Sequence, residues 1–339
     1  MSHEIHEEDD VMLAESAWHK LGKVVGKAFS WLDAVAEDLP ITRPVHKVAL
    51  GDILTPLPSA EGVSLRAQEN DYASVRSDGL VIASGLGEQW TPFHASEGYA
   101  FGQAIRDAEA EHDIQCDLRS LGTLYNGRKW FMTFDLGTFW IGDYAVRDYM
   151  SINGSYDSSW PLCVLSSPTI EVCANTVAAA FHGGVKHYRF KHTSGIFNRV
   201  EEAKRAVTVH NANRQAIQAL GEKMLTTPLA PSEYGRLVRA MFPIDDETST
   251  RTRNVNEEAI ETVTTLYKAQ VGANGLVDST GNGWSFVQAV NTYENWAQPI
   301  RKTGGNDENI ARALRQIEQL QSEKQPLTER AADLVLALS

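Results

Sequence analysis

"SLGTLYNGRKWFMTFDLG", Ser120 to Gly137, decides how the chain is read. Asn126-Gly127 between alternating apolar residues is the strongest short-range signal for a β-hairpin, because both residues accept the positive φ of a tight turn. On the second arm Trp130, Met132, Phe134 and Leu136 fall on one face of an extended strand. The following "VRDYMSINGSYD", from Val146, supplies another strand and a polar turn. "SPTIEVCANTVAAAFHGG", from Ser167, reads as a strand running into a short helix, with Asn175 near its start and Gly183-Gly184 ending it. Upstream, residues 45–92 read as short strands punctuated by Pro56, Pro58, Gly62, Gly79 and Gly85.

Helices flank this β region. "SWLDAVAEDLP" has Ser30 as a cap and Pro40 as a stop, and "HASEGYAFGQAIRDAEAEHD" has Ser96 in the capping position. A run from Ile196 to Leu225 carries a broken apolar stripe of Ile196, Val200, Ala203, Val207, Ile217, Leu220 and Met224. Beyond it the chain is helical in four further segments, separated by Gly-rich breaks at 281–283 and 304–305. The pattern predicts an α+β fold: a curved antiparallel sheet backed by a long helix, with a helical C-terminal region. The expected divisions are a disordered or loosely attached arm over 1–14, an α+β core over 15–242, a polar connection over 243–255 and the helical region over 256–339.

Composition narrows the function classes. The 339 residues are 42% hydrophobic and 22% charged, as in globular proteins with a real core. No apolar run approaches the roughly 20 residues of a membrane helix. The acidic start "MSHEIHEEDD" is no signal peptide, and three scattered cysteines fit a reducing compartment, so a cytoplasmic setting is expected. Nucleotide-binding glycine fingerprints, the zinc-protease helix motif and the nucleophile elbow are all missing from the sequence. His182, His187 and His192 are five apart, which does not match a pair of metal ligands on one helix face. No catalytic residue, metal or cofactor is assigned, and a non-enzymatic protein is favoured over an enzyme. An enzyme site would have to be assembled from Asn153, Asp157, Asn175, His182 and His192, each more simply a turn, cap or surface residue. Trp18 in "WHKLG" reads as an anchor for the N-terminal arm, with Gly22 making a turn.

Charge is distributed unevenly. The net formal charge is −13, yet residues 1–120 hold 21 acidic and 9 basic residues, whereas 182–214 hold seven basic residues against Glu201 and Glu202. Within that basic segment lies "VKHYRFKHTSG", Val185 to Gly195. If it is extended, His187, Arg189 and Lys191 share one face while Tyr188 and Phe190 take the other. One reading is a strand with its rings in the core and its cations in water. The other is a phosphate-binding row of Lys186, His187, Arg189 and Lys191, extended by Arg199, Lys204 and Arg205 and by Arg128 and Lys129 at the hairpin tip. A row of cations suffices for phosphate contact, which needs no base-specific geometry. Base stacking would fall to Tyr125 or Trp130 beside the hairpin turn.

Six segments occur in a familiar order: "AWHKLG", "YASVRSDGLVIASGLGEQWTPFHASEGYAF", "LGTLYNGRKWFMTFDLG", "IEVCANTVAAAF", "FKHTSGIFNRVEEAK" and "GWSFVQAVNTYENW". Over roughly residues 15–300 the chain resembles the phage/plasmid-like protein family built on domain of unknown function 932. "VCANT" and "KHTSGIFNRVEEA" are its most specific parts. Glu171 departs from the basic residue that often precedes "VCANT" in that family. The resemblance implies a mobile-element context, and hence the cytoplasm of an infected or plasmid-bearing bacterium, but no catalytic residue.

Two functional expectations follow. The first is a DNA-binding protein that anneals single-stranded DNA as a homo-oligomer, by analogy with ring-forming annealing proteins in which a curved sheet and a helix frame a basic groove. The second is a non-enzymatic anti-defence or host-interaction protein, whose acidic N-terminal third would bind a host or phage protein in place of DNA. No membrane partner is expected.

Overall fold

The computed structural model describes residues 11–14, 23–26, 28–54, 68–110, 117–166, 169–170, 175–176, 188–191, 214–272, 281–300, 312, 315 and 325–338. Its centre is the predicted hairpin. Strands β6 (Asp117–Leu124) and β7 (Lys129–Ile141) pair antiparallel, with Leu124 opposite Lys129. Tyr125, Asn126 and Gly127 all have positive φ, at 54°, 60° and 81°. The Arg128 amide donates to the Tyr125 carbonyl at 3.3 Å, so Asn126-Gly127 occupies the middle of the turn as its chemistry requires.

A nine-stranded sheet grows outward from this pair. Strand β8 (Tyr144–Ser155) follows β7, and its far edge is shared by β9 (Leu162–Ser166) and β10 (Thr169–Ile170). Strand β12 (Tyr188–Phe190) pairs with β9, and β11 (Asn175–Thr176) with β10. On the other side β6 is joined by β1 (Val11–Leu13) and then β2 (Lys23–Val24). All pairings are antiparallel except β1 with β2, which is parallel. A separate antiparallel sheet holds β3 (Val45–Ala49), β4 (Tyr72–Arg76) and β5 (Val81–Leu86), and the short helix α2 (Leu50–Ile53) follows β3.

One face of the large sheet carries two cores in succession. Trp130, Met132, Phe134 and Leu136 form the first with Met150 and Ile152 of β8, Leu162 and Val164 of β9, and the helices α1 (Trp31–Ala36) and α3 (Ala95–Ala110). A bulge between Asp135 and Thr138 inserts one residue into β7 opposite β8. It restores the same face to Phe139 and Ile141, which enter the second core. That core is built by α4 (residues 214–226), α5 (Pro231–Met241), α6 (Thr250–Gly272), α7 (Gly283–Thr292) and α8 (Leu327–Leu336). The fold is therefore α+β with a helical C-terminal region. The helix against the middle of the sheet is α3. The described part of the predicted long helix, α4, lies farther along β7 and buries Ile217 and Met224.

Several local expectations are corrected. Val11–Leu13 is a buried sheet strand, so these residues are no loose arm; the apolar triplet finds its partner in β6, more than a hundred positions away. The polar connection ends at 249, because Ser249 caps α6 by accepting from the Thr252 amide at 3.2 Å. The polar residues after it form an exposed first turn. Helix α3 starts earlier than Ser96 implies: Glu97 accepts from the His94 amide at 2.7 Å, making His94 the capping position. Asn175 belongs to β11, not to a helix start. Trp18, Gly22 and the helix after "VCANT" lie outside the described residues. Ser30 caps α1 as expected, with its amide donating to Asp33 at 2.7 Å.

A carboxylate fastens the last helix. Helix α7 continues into a π turn, Tyr293–Ala297, which presents buried Glu294 to the start of α8. Glu294 accepts from the Leu327 and Thr328 amides, both at 2.9 Å, and from the Thr328 hydroxyl at 2.7 Å. An anion at a helix N-terminus meets unpaired amides and the positive end of the dipole.

Glycines set how closely α3 approaches the sheet. A Cβ at Gly102 would stand 2.2 Å from the Phe134 ring, and one at Gly98 would stand 2.8 Å from Trp130. Gly102→Ala should lower stability by about 1–3 kcal/mol, the cost of overpacking a filled core; urea denaturation reads this as a lower midpoint, and an unchanged midpoint contradicts the tight packing. His94 supplies a pH dependence. Burial lowers its pKa below the ordinary 6.5, with Glu97 opposing and His46 adding to the effect. The fold thus favours the neutral ring, so this contribution is complete above 6.5 and is lost as the unfolded chain takes up the proton below it. The unfolding temperature should fall on acidification through that range, and His94→Gln should flatten the fall.

Candidate nucleic-acid interface and a polar cleft

Four of the nine predicted cations, Arg128, Lys129, Arg189 and Lys191, are among the described residues, and they fall at the hairpin end of the large sheet. Arg128 is exposed in the turn. Lys129 opens β7 on the face opposite the core, and its ammonium lies 4.5 Å from the Tyr125 ring centroid and 4.0 Å from that of Trp160. The ring of Trp160 is held there by Ser155, whose hydroxyl donates to the Trp160 carbonyl at 2.9 Å and accepts from its amide at 3.0 Å. Lys129 is therefore a positioned cation, fixed by two aromatic faces.

Register places the basic strand beside it. Tyr188 and Phe190 oppose Val164 and Leu162, both core residues, while Arg189 opposes Cys163. Cys163 opposes Asn153, and Asn153 opposes Phe131, the next residue of β7 on the Lys129 face. Arg189 thus takes a position on the same face as Lys129, three strand spacings or about 14 Å across the sheet. Lys191 follows β12 and is exposed. Lys186, His187, Arg199, Lys204 and Arg205 lie outside the described residues.

The stacking expectation changes. Trp130 is fully buried between α3 and the sheet, and Tyr125 is covered by Lys129. Of the residues considered for an enzyme site, Asn153 is buried in β8, Asp157 orders a turn by accepting from the Ser159 amide at 3.0 Å, and Asn175 is in β11. His182 and His192 lie outside the described residues. Among the described residues no group of three or more His, Cys, Asp or Glu could hold a metal ion, and no helix is long and apolar enough to cross a membrane.

A second site escaped the sequence reading. Asp117, Arg119, Asp135, Gly137 and Arg147 line a cleft of about 200 Å³ on the same sheet face. The Arg119 Nε and Arg147 Nη1 both reach Asp135 Oδ2, at 3.0 and 3.1 Å, while the Gly137 amide donates to Oδ1 at 2.9 Å. Two irregularities build it: the β6 bulge falls at Arg119 and the β7 bulge at Leu136-Gly137. A bulge leaves one residue unpaired and re-aims its side chain. Gly137 has φ of 90°, which a side chain at this position would strain. Asp117 stands directly opposite Asp135, so the two arginines also offset a like-charge pair.

The family model for a domain of unknown function (DUF932) matches residues 84–317. The chain belongs to this family, and the matched span covers the hairpin, the cleft and most of the C-terminal helices. No curated protein matches the chain, and no solved structure matches it.

Asp135→Asn keeps the side-chain shape but leaves Arg119 and Arg147 together without their shared anion. The expected loss is about 1–3 kcal/mol, because Asp135 is buried while both arginines are partly exposed. Chemical denaturation should show it, and a change below about 0.5 kcal/mol, the usual range of surface substitutions, would argue against the pairing.

Proposed function

We propose that this protein binds single-stranded DNA through the cationic end of its large sheet, and that it acts as an oligomeric annealing protein of a phage or other mobile element inside a bacterial host. The observation that carries this reading is the register that brings Arg189 to the face and end of the sheet where Arg128 and Lys129 stand. Cations spaced across strands suit a phosphate backbone, and they leave bases free for pairing. The resemblance to mobile-element proteins supports the same reading.

Binding of a labelled oligonucleotide, followed by fluorescence anisotropy, tests it. Affinity should fall with added salt, and Arg128→Glu or Lys191→Glu should weaken binding and reduce the salt slope by about 0.7 per lost phosphate contact. Absence of salt-sensitive binding at low ionic strength overturns the proposal. The alternative, a host-interaction protein using its acidic third, is less well supported. Several of those acids are matched internally: Asp38 and Asp78 by Arg43, Asp78 also by Arg76, and Glu37 by Lys23.

A further inference from the structure

The polar cleft has an aromatic neighbour that the DNA reading does not use. Trp140 lies on the same face of β7, two positions beyond Thr138, the residue that opposes Arg147. It opposes Ala145, so Arg147 is its diagonal neighbour across the strand pair, about 7–8 Å away. Diagonal neighbours at that spacing are within reach of long and aromatic side chains. Trp140 is 56% exposed, the largest aromatic side chain among the exposed apolar residues described. The Arg147 side chain is 36% exposed and that of Arg119 20%.

We infer that this cleft binds a nucleotide, with Arg147 and Arg119 taking its phosphate and the indole of Trp140 stacking on its base. A guanidinium presents a planar fork of donors that suits a phosphate. Asp135 fixes both guanidinium groups at one point, so neither has to be ordered when the ligand arrives. Asp117 and Asp135 balance the two arginine charges, so the phosphate is held by directed guanidinium hydrogen bonds and not by a net positive charge. The Gly137 amide secures the other Asp135 oxygen, which keeps the carboxylate from turning toward the ligand. At about 200 Å³ the cleft is smaller than the roughly 300–1,000 Å³ that enclose a whole drug-sized ligand. It therefore suits one charged group, and the rest of the ligand lies outside, where Trp140 stands. An indole accepts any base, because every base has a π-face, so the site selects nucleotides as a class and not one sequence. The ligand is either a free mononucleotide or the phosphorylated end of a strand. This inference stands apart from the cationic sheet end, which lies at the start of β7, whereas Asp135 and Gly137 lie at its middle and Trp140 near its far end.

Calorimetric titration with thymidine 5′-monophosphate, thymidine and inorganic phosphate tests it on the full chain. The monophosphate should bind, and each fragment should bind about tenfold more weakly or worse. Trp140→Ala should reduce monophosphate affinity by about tenfold, the scale of one stacked base, and Arg147→Ala should reduce it by about tenfold or more, the scale of a hydrogen bond to a charged group. Near-UV circular dichroism verifies folding; Arg147→Lys, which keeps the charge but loses the fork, should also weaken binding if the alanine variant is unstable. No heat with the monophosphate, or equal affinity in wild type and all these variants, overturns the inference. Competition by a 5′-phosphorylated oligonucleotide but not by its 5′-hydroxyl counterpart supports the strand-end source, and competition by neither supports the free nucleotide. Loss of oligonucleotide binding in Arg128→Glu with retained monophosphate binding would identify the two sites as separate.

Discussion

Two rings fitted into glycine notches hold the architecture together. Trp130 fills the space that side chains at Gly98 and Gly154 would occupy, and Phe134 fills the space at Gly102. Gly98 and Gly102 are four apart, so both lie on one face of α3 and let its backbone descend onto the sheet. Phe93 stacks on Trp130 at 6.3 Å between centroids, and Tyr99 stacks on Phe134 at the same distance. Interiors packed at crystal density transmit a misfit, so these contacts fix the height of α3 over β7. That height fixes the start of α3, where the Ala95 amide donates to the buried Tyr156 hydroxyl at 3.2 Å. Tyr156 follows β8, and its amide donates to the Arg128 carbonyl at 2.7 Å. The core packing is thereby connected, bond by bond, to the hairpin tip where the cations stand.

Short-range chemistry made the hairpin legible. Asn126-Gly127 announces its turn, and the alternation of Trp130, Met132, Phe134 and Leu136 assigns its buried face without reference to any other part of the chain. Val11–Leu13 was illegible because three residues in an acidic surrounding carry too little pattern; only pairing with β6 makes them a strand. The start of α6 was misread for a related reason. Its first turn is exposed, so Thr250, Arg251 and Arg253 obey no apolar period, and the capping signal at Ser249 is weak by itself.

The sites divide in the same way. Arg128, Lys129 and the alternation of Arg189 with Tyr188 and Phe190 could be read locally, because a strand's period of two needs no tertiary knowledge. The cleft could not. Asp117, Arg119, Asp135 and Arg147 come from three strands, and two bulges bring them into one group. An ideal alternation, which is all that a sequence can supply, puts Asp135 and Leu136 on opposite faces but gives no warning of the extra residue at Gly137. The exposed Trp140 was hidden by the same bulge, since continuing the alternation from Trp130 through Leu136 would send position 140 into the core.

The bulge in β7 thus has two consequences at once. Beyond it the apolar face resumes one residue out of phase, so Phe139 and Ile141 can seat the C-terminal helices under the same sheet face that holds α3. The accompanying turn of the backbone is anchored by Asp135, whose carboxylate holds the Gly137 amide and both arginines. Removing the extra residue would put Phe139 and Ile141 on the polar face and Trp140 in the core. A cluster confined to surface charge could drift without harm to the fold. This one is attached to the residue that sets the phase of a thirteen-residue strand, so the geometry of the cleft and the joining of the two cores depend on the same few backbone angles.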